Sequence, residues 1–355
     1  MHARAVVATA VLAAVAWALP ACAASPSAAP ETPPAPTPRQ EETPTWTSSV
    51  PLPDLETLPT RAIALTAHSA PAALVATRGA VWVQAHRASE ITRIDAATGA
   101  ITAVIDTGGH LGCGDLTDAA GSVWLTGCEI TPGLVRIDPA SSTVVETVDV
   151  DGLGPAERDG ELWIGDWISG TVNVRSFGSS TPAAELTAVP VPGMLDTEGG
   201  VAVAAGALWT ADKNGAIAYR IDPVDGSVVK AVPMPAEPDS GYLISHDDAV
   251  WYTDPAHGLF VRIDPDSGET RTLEVRTEQP SEYWGIAAST APGDPGRLWV
   301  RSGDDEVWLV DTREDAVLRR IAVAAGAGGD VQQVGDTLWV SGFATDEVEM
   351  ISLTG

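Results

Sequence analysis

One short pattern recurs seven times along this chain and constrains its fold more than any other feature. Each copy has Gly or Asp, a variable residue, Leu or Val, and then Trp. The tryptophans lie 39 to 48 residues apart, at Trp82, Trp124, Trp163, Trp209, Trp251, Trp299 and Trp339. Four short strands with their turns fill this length, and they form one blade of a β-propeller. We therefore predict an all-β, seven-bladed β-propeller with four-stranded antiparallel blades over residues 60–355.

A second pattern, Arg-Ile-Asp, follows the tryptophan in four of the copies and ends at Asp95, Asp138, Asp222 and Asp264. Pro often comes next, and Gly often closes the segment. Asp accepts a backbone hydrogen bond at the start of a turn, Pro presets φ, and Gly takes the left-handed position. We expect these aspartates to form turns and not to bind metal.

The first repeat shows how one blade is built. It predicts strands at 72–77, 80–85, 90–95 and 100–106. In the second strand, Val81 and Val83 alternate with Trp82, so both of its faces are apolar. This pattern favours a blade packed between two neighbours, and it places the repeated tryptophans in the core instead of in a cofactor site.

The last repeat supplies only three strands, predicted at 330–335, 337–341 and 347–353. The missing fourth strand is present at the other end of the propeller, in residues 60–66. We expect this N-terminal strand to complete the last blade and close the ring. Closure would remove the open sheet edges that promote aggregation.

The first 21 residues have the composition of a targeting segment. His2 and Arg4 precede an apolar run, residues 5–19, that is shorter than the roughly 20 residues of a transmembrane helix. The run ends in Leu-Pro-Ala-Cys, which resembles the lipobox of bacterial lipoproteins. The resemblance implies a signal peptide at 1–21, a lipid on Cys22, and an extracytoplasmic protein anchored to the cell membrane. The alternative is ordinary cleavage within residues 21–24, which would release a free secreted protein.

Residues 22–59 comprise this cysteine and a segment rich in Ala, Pro, Ser and Thr. No apolar period is visible there, so we expect a disordered tether. The net charge of −28 argues against nucleic acid as a partner, because phosphate binding needs a basic surface. The same charge provides solubility, or else a face that attracts cations. We expect a monomer.

The full repeat, Gly-x-Leu-Trp-Val with Arg-Ile-Asp-Pro-x-x-Gly, resembles the repeats of YVTN-type propellers over residues 60–355. It also looks like the streptogramin (virginiamycin) B lyase superfamily. For the lyase, the resemblance implies elimination that opens a cyclic depsipeptide ester, with Mg²⁺ and a His/Glu set on one face. The histidines of this chain are scattered over several blades, without a clear His-x-His or Glu-x-His pair. No catalytic residue is therefore assigned.

Two cysteines remain after Cys22. Cys113 lies where the first strand of the second blade is expected to begin, and Cys128 lies just after the next strand ends. These ends of antiparallel neighbours meet, and a secreted location permits oxidation, so a disulfide is predicted. A disulfide that closes a loop of about 15 residues would stabilise the folded state by about 3 kcal/mol. The alternative, a thiolate metal site, has no nearby histidines to support it.

Propellers usually bind ligands on the face that carries the loop between strands two and three of each blade and the connection from one blade to the next. We call this the loop face. The repeats place twelve candidate residues there: His86, His110, Asp115, Trp167, Asp196, Glu198, Asp239, Tyr242, Glu282, Tyr283, Trp284 and Asp330.

Each type of candidate residue has two interpretations. The carboxylates would bind Mg²⁺ or Ca²⁺, which prefer oxygen ligands, or are solvated charges at the rim; no metal site is assigned. The aromatic residues suit a small molecule, a glycan or a protein, or plug the channel. His86 and His110 form a pair that responds to pH or metal, or are ordinary surface histidines. The leading hypothesis is a binding or scaffold lipoprotein, and the alternative is a metal-dependent lyase or hydrolase.

Overall fold

The structure is a computed structural model. It describes residues 45–49, 52–127, 133–148, 153–158, 161–166, 171–176, 187–190, 201–212, 217–222, 227–234, 242–246, 249–254, 259–274, 296–301, 305–324 and 329–354. Its elements are β-strands. The first three, β1 (Thr45–Ser49), β2 (Leu55–Glu56) and β3 (Thr60–Ala64), pair with sheets formed much later in the chain.

The next strands form four sheets in chain order. The first sheet contains β4 (Pro71–Thr77), β5 (Ala80–Ala85), β6 (Glu90–Asp95) and β7 (Ile101–Asp106). The second contains β8 (Gly112–Ala119), β9 (Ser122–Gly127), β10 (Leu134–Asp138) and β11 (Thr143–Val148). The third contains β12 (Leu153–Arg158), β13 (Glu161–Asp166), β14 (Thr171–Ser176) and β15 (Thr187–Pro190). The fourth contains β16 (Val201–Ala204), β17 (Ala207–Asp212), β18 (Ile217–Ile221) and β19 (Val228–Pro233).

Three further sheets also recruit the N-terminal strands. The fifth contains β20 (Tyr242–His246), β21 (Ala249–Asp254), β22 (Leu259–Ile263) and β23 (Thr270–Glu274), with β1 added. The sixth contains β24 (Arg297–Arg301), β25 (Glu306–Asp311) and β26 (Ala316–Ala322), with β2 added. The seventh contains β27 (Val331–Val334), β28 (Thr337–Gly342) and β29 (Glu347–Ser352), with β3 added.

Neighbouring sheets pack face to face through apolar clusters. In the first sheet, Trp82 faces the second sheet, whereas Val81 and Val83 face the seventh. The seventh sheet meets the first where Trp339 packs in the same cluster as Leu74. All seven repeated tryptophans are buried, which confirms their core role. The chain is therefore all-β and forms a β-propeller with four-stranded antiparallel blades, as predicted.

The strand that completes the last sheet is β3. It pairs antiparallel with β29, with Ile63 opposite Val348 and Ala62 opposite Glu349. Residues 60–66 therefore occupy the position expected of the closing strand. Ile63 is buried within the cluster that joins the seventh sheet to the first, so β3 contributes to the packing of both sheets.

The chain before β3 differs from the tether expected up to residue 59. β1 pairs parallel with β23, and β2 pairs parallel with β26. We call β1, β2 and β3 together the N-terminal arm. Glu56 in β2 accepts two hydrogen bonds from Arg319, at 2.9 and 2.6 Å, and Arg320 donates to the carbonyl of Pro53 at 3.2 Å. The arm thus adds to the outermost strands of three successive sheets.

The repeated aspartates form turns, as expected. The Asp95 carboxylate accepts hydrogen bonds from the Thr98 backbone N–H and hydroxyl, at 2.9 and 2.7 Å. Ser267 donates to Asp264 in the same way. These bonds to the charged form lower the pKa of both carboxyls. Among the residues described, no helix is long and apolar enough to cross a membrane.

Candidate functional site

The structure locates only part of the predicted ligand face. It describes the side chains of His86, His110 and Asp330, and the backbone alone of Asp115 in β8 and Tyr242 in β20. The other seven candidates lie outside the described residues: Trp167, Asp196, Glu198, Asp239, Glu282, Tyr283 and Trp284. Cys22 and Cys128 lie outside them too, and Cys113 is described by its backbone only, so the lipid and the disulfide stay predictions.

Asp330 joins the seventh sheet to the first. Its carboxylate accepts the backbone N–H of Leu74 in β4 at 2.9 Å and that of Val331 at 2.7 Å. Its own N–H donates to the hydroxyl oxygen of Ser341 at 2.7 Å and to the carbonyl of Ala72 at 3.2 Å. The aspartate that the sequence placed among the ligand candidates therefore links the seventh sheet to the first.

Ser341 is the centre of this junction and was not selected from the sequence. Its hydroxyl donates to the carbonyl of Ala72, and its own carbonyl accepts a hydrogen bond from fully buried Arg301 at 2.8 Å. Gly329 approaches it so closely that a Cβ at position 329 would overlap the Ser341 carbonyl oxygen. The sequence pattern of a single repeat does not predict this junction, because its hydrogen bonds join residues of three different repeats.

Asp346 makes a second link between the same two sheets. Its carboxylate accepts the backbone N–H of His68 at 2.7 Å and that of Ala70 at 3.0 Å. The hydrogen bond from Ala70, and to a smaller extent the one from His68, lowers the pKa of the Asp346 carboxyl. All three residues have positive φ angles, between 50° and 64°, a backbone conformation that non-glycine residues rarely adopt. The carboxylate therefore stabilises a turn that would otherwise be unfavourable.

The two candidate histidines contact different glycines of the second repeat. The His110 ring lies against Gly133 at the start of β10, where a Cβ would be 2.8 Å from Cε1. The His86 ring instead donates from Nδ1 to the carbonyl of Gly112, at 3.0 Å. These contacts do not test the hypothesis of a paired histidine site, which stays a prediction.

His86 is instead grouped with Arg87 and Phe343. The His86 and Phe343 rings have centroids 5.2 Å apart and are tilted by 53°. The Arg87 guanidinium lies 5.2 Å from the centroid of the same phenylalanine ring, a cation–π geometry. Phe343 follows β28 and His86 follows β5, so strands of the seventh and first sheets end at this point of the loop face. We call these three residues the loop-face cluster.

The protonation of His86 follows from its surroundings. Burial lowers the pKa of the imidazole, the hydrogen bond to Gly112 acts in the opposite direction, and the positive charge of Arg87 lowers the pKa further. Because a carbonyl only accepts, Nδ1 carries the proton in the neutral ring and Nε2 is left as an acceptor. No hydrogen bond to Nε2 occurs within the described part of the chain. The cluster therefore presents a hydrogen-bond acceptor, a cation and an aromatic ring.

A buried amide lies beneath this cluster. Gln84 is only 1% exposed, and within the described part of the chain neither Oε1 nor Nε2 has a hydrogen-bond partner. It packs directly on Gly112, where a Cβ would overlap the amide. Unsatisfied buried amides are rare and costly. The sequence could have indicated this residue, because Gln84 is the one polar residue of the otherwise apolar strand Ala-Val-Trp-Val-Gln-Ala.

The described residues also decide whether a metal site is present among them. No group of three His, Cys, Asp or Glu side chains with metal-binding geometry occurs among the residues that the structure describes. Asp330, the described carboxylate that the sequence singled out, is bonded to backbone amides. The described residues of the loop face therefore do not fit a Mg²⁺ or Ca²⁺ site.

Comparison with solved structures identifies the fold. The selenomethionine-substituted virginiamycin B lyase from Staphylococcus aureus is 17% identical, with a TM-score of 0.67, over 83% of this chain and 99% of that one. This chain shares its propeller fold. A catalytically inactive variant of the S. aureus enzyme with quinupristin gives 18% identity, a TM-score of 0.67 and the same coverage. A streptogramin B lyase structure gives 14% identity and a TM-score of 0.67 over 83% of this chain and 97% of that chain.

At these identities the similarity establishes the fold alone. No protein-family model matches the chain, and no curated protein sequence matches it significantly. The repeats that resembled the streptogramin B lyase superfamily thus predicted the right fold, and the chemistry has to be argued from the residues of this chain.

Proposed function

We propose that this protein is an extracytoplasmic lipoprotein, held at the bacterial cell membrane through Cys22, whose propeller binds a ligand on its loop face. The lipobox-like sequence supports the anchor, and the composition of residues 22–44 supports a tether before the N-terminal arm. The net charge of −28 argues against nucleic acid as the ligand. A small molecule, a glycan or a peptide fits the exposed groups of the loop face.

The observation that carries this proposal is the loop-face cluster. His86, Arg87 and Phe343 come from two sheets and present three complementary binding groups side by side. Binding sites commonly combine aromatic surface with a few polar groups that fix the orientation of a ligand. Arg87 is exposed, and the two rings are partly exposed, so a ligand can reach all three side chains without unfolding the loops.

We also propose that the seven sheets are the seven blades of one closed ring. Each sheet contains one of the seven repeated tryptophans, and an apolar cluster lies between each sheet and the next. A rigid ring suits a binding role, because it holds loops of different blades in fixed positions and limits the entropy that is lost on binding.

A thermal-shift panel on the full chain tests the binding function, with Mg²⁺, Ca²⁺, cell-wall sugars and short peptides as probes. A ligand that binds the native state raises the melting temperature. We expect at least one probe to do so in the wild type and not in Phe343→Ala. Val104→Ala is the control, because Val104 is an exposed apolar residue of the outer strand β7. Equal shifts in wild type and Phe343→Ala for every active probe would refute the assigned site.

A metal-dependent lyase or hydrolase is the second candidate, and His86 favours it. A neutral imidazole with an accepting Nε2 is suited to remove a proton from a substrate. Quinupristin is a suitable probe, since the structure of the inactive S. aureus lyase, which has the same fold, was solved with quinupristin. The full chain would be incubated with quinupristin and Mg²⁺, and the products separated by liquid chromatography and weighed by mass spectrometry.

The masses distinguish the reactions. Elimination gives a ring-opened isomer of unchanged mass, whereas hydrolysis adds one water. We expect His86→Phe to abolish either product and Arg78→Gln, in the β4–β5 turn at the other end of β5, to retain it. Unchanged quinupristin would leave the binding role as the only proposed function.

A further inference from the structure

The charge of the loop-face cluster is opposite to that of the whole protein. The chain carries 48 acidic and 20 basic residues. Arg87 nevertheless forms no ion pair with a carboxylate in the described part of the chain, and Glu90, three residues later, does not bond to it. Other arginines, such as Arg319 and Arg320, are paired with Glu56 and Glu306. Among the described residues of the loop face, Arg87 therefore presents an exposed guanidinium without a carboxylate partner.

Arg87 is also held in place. Its backbone N–H donates to the carbonyl of Ser69 at 2.9 Å, and the N–H of His86 donates to Ala70 at 3.0 Å. The Phe343 ring lies against the guanidinium. A positioned guanidinium offers two parallel N–H groups, which match the two oxygens of a carboxylate. Less side-chain entropy is lost on binding when the cation is already oriented.

The rest of the cluster carries no formal charge at neutral pH. Phe343 and the face of the His86 ring offer apolar surface next to the cation. The Nε2 atom of His86 accepts a hydrogen bond from an N–H or O–H group. A ligand that uses all three groups has a carboxylate, an apolar side group and a hydrogen-bond donor close together.

We propose that the loop-face cluster binds an acylated α-amino acid or the C-terminal residue of a short peptide. Such a ligand places its carboxylate on Arg87, its side chain on Phe343 and its amide N–H on Nε2 of His86. This inference rests on the proposed binding function and specifies its ligand class. Free N-acyl amino acids and peptide C-termini share this chemistry.

The test uses the full chain and isothermal titration with N-acetyl-L-phenylalanine, N-acetyl-L-leucine and a tripeptide ending in phenylalanine. Each acid is compared with its C-terminal amide, which keeps every group except the negative charge. We expect the amides to bind about tenfold to a hundredfold more weakly, the range for losing a hydrogen bond to a charged group. The ratio of tripeptide to N-acetyl affinity separates the two ligand sources.

Two variants identify the residue responsible. Arg87→Gln is expected to lower the affinity for the acids to that for the amides. Arg78→Gln, with the same charge change in the β4–β5 turn, is expected to leave the difference intact. Melting temperatures of both variants would verify that they fold. Equal affinity of acids and amides in the wild type, or an acid preference that survives Arg87→Gln, would overturn the proposal.

The same panel separates this inference from the proposed function. If no acid binds but a sugar or a peptide amide binds in a manner that depends on Phe343, the ligand class is wrong and the binding face stands. If no binding depends on Phe343, both the ligand class and the assigned face are refuted.

Discussion

Replacing Asp346 with asparagine removes one of the two oxygens that hold the last sheet against the first. The carboxylate joins residues 278 and 276 positions away, His68 and Ala70, so it bridges the two ends of the folded chain. Asparagine retains one accepting oxygen and tolerates positive φ, and it places an NH₂ group where the other oxygen accepted. Ala70 is buried and His68 is exposed, so we expect the remaining oxygen to keep Ala70.

The expected loss is about 1 kcal/mol of unfolding free energy. A hydrogen bond to a charged group contributes about 1.5–3 kcal/mol, and solvent near the surface reduces this value. Asp346→Ala loses both bonds and places alanine at φ 56°, so we expect about 2–3 kcal/mol. For a chain of this size, 1 kcal/mol corresponds to about 2–4 °C in melting temperature. The assay is urea unfolding followed by tryptophan fluorescence, with thermal melts in parallel.

The pH dependence gives an independent test. Asp346 has a lowered pKa in the folded state, so the unfolded chain takes up this proton at higher pH than the folded chain. The contribution of Asp346 to stability is therefore fully present at pH values above its ordinary pKa of 3.8, and it is lost as the pH falls through the folded-state pKa. The stability difference between wild type and Asp346→Asn should be constant from about pH 5 to 8 and shrink below about pH 4.

Asp95→Asn is the matched control for Asp346→Asn. Asp95 also accepts backbone and hydroxyl hydrogen bonds, but from Thr98 within one turn of the first sheet. We expect it to alter that turn without weakening the junction of the two sheets. Equal urea midpoints for wild type and Asp346→Asn at pH 7 would refute the role of Asp346 in closure. So would an equal effect of both substitutions.

The remaining predictions concern packing, the buried amide, the arm and the anchor. Gly329→Ala should lower the free energy of unfolding by about 3 kcal/mol or more, because the added Cβ would overlap the Ser341 backbone. Gly335→Ala, at φ 57° with open space around it, should lower it by about 1 kcal/mol. Equal urea midpoints for the two variants would contradict this prediction. Gln84→Met should raise the stability by about 1 kcal/mol if the amide is unsatisfied, and a lower melting temperature would show that the amide has a partner. Glu56→Gln should lower the free energy of unfolding by less than about 1 kcal/mol, since the ion pair with Arg319 is partly exposed. It should also speed amide hydrogen exchange in β2, and unchanged exchange would contradict the role of this ion pair in holding β2 against β26. Cys22→Ser should move the protein from the membrane fraction to the soluble fraction, and retention in the membrane would refute the lipid.

The propeller was predictable because its information is local and repeated. Strand positions followed from the alternation around each tryptophan, and the first sheet agrees with the prediction to within one residue at every strand end. The turns followed from Asp and Gly, whose backbone preferences do not depend on the rest of the fold. β3 was predictable because the last repeat lacked one strand and the first residues of the domain could supply it.

The first part of the N-terminal arm was not predictable by the same argument. β1 and β2 join their sheets through backbone hydrogen bonds, which impose no apolar alternation on the sequence. Leu55 remains largely exposed after pairing, so burial leaves no pattern there either. Composition alone therefore suggested a tether up to residue 59, although part of this segment is paired with two sheets.

The candidate site shows a similar division between local and long-range information. The repeats placed His86 in the loop between the second and third strands of the first blade, and it lies between β5 and β6, since its position within a blade is a local property. They did not reveal that the Asp330 carboxylate accepts the backbone N–H of Leu74 in the first sheet, because that partner lies 256 residues away. Phe343 was not among the predicted residues, because its contact with His86 joins loops of the seventh and first sheets.

The cluster and the contacts of Asp346 lie together because both are at the junction of the seventh and first sheets. Phe343 and Asp346 belong to one loop of the seventh sheet, and His86 is bonded to the turn at residues 68–70 that Asp346 caps. A change that loosens this junction must also move Phe343 relative to His86 and Arg87. We therefore expect Asp346→Asn to weaken ligand binding at the loop-face cluster more than its small effect on stability would suggest. Binding that is unaffected by Asp346→Asn would show that the cluster is positioned by its own loops and not by the closing contacts.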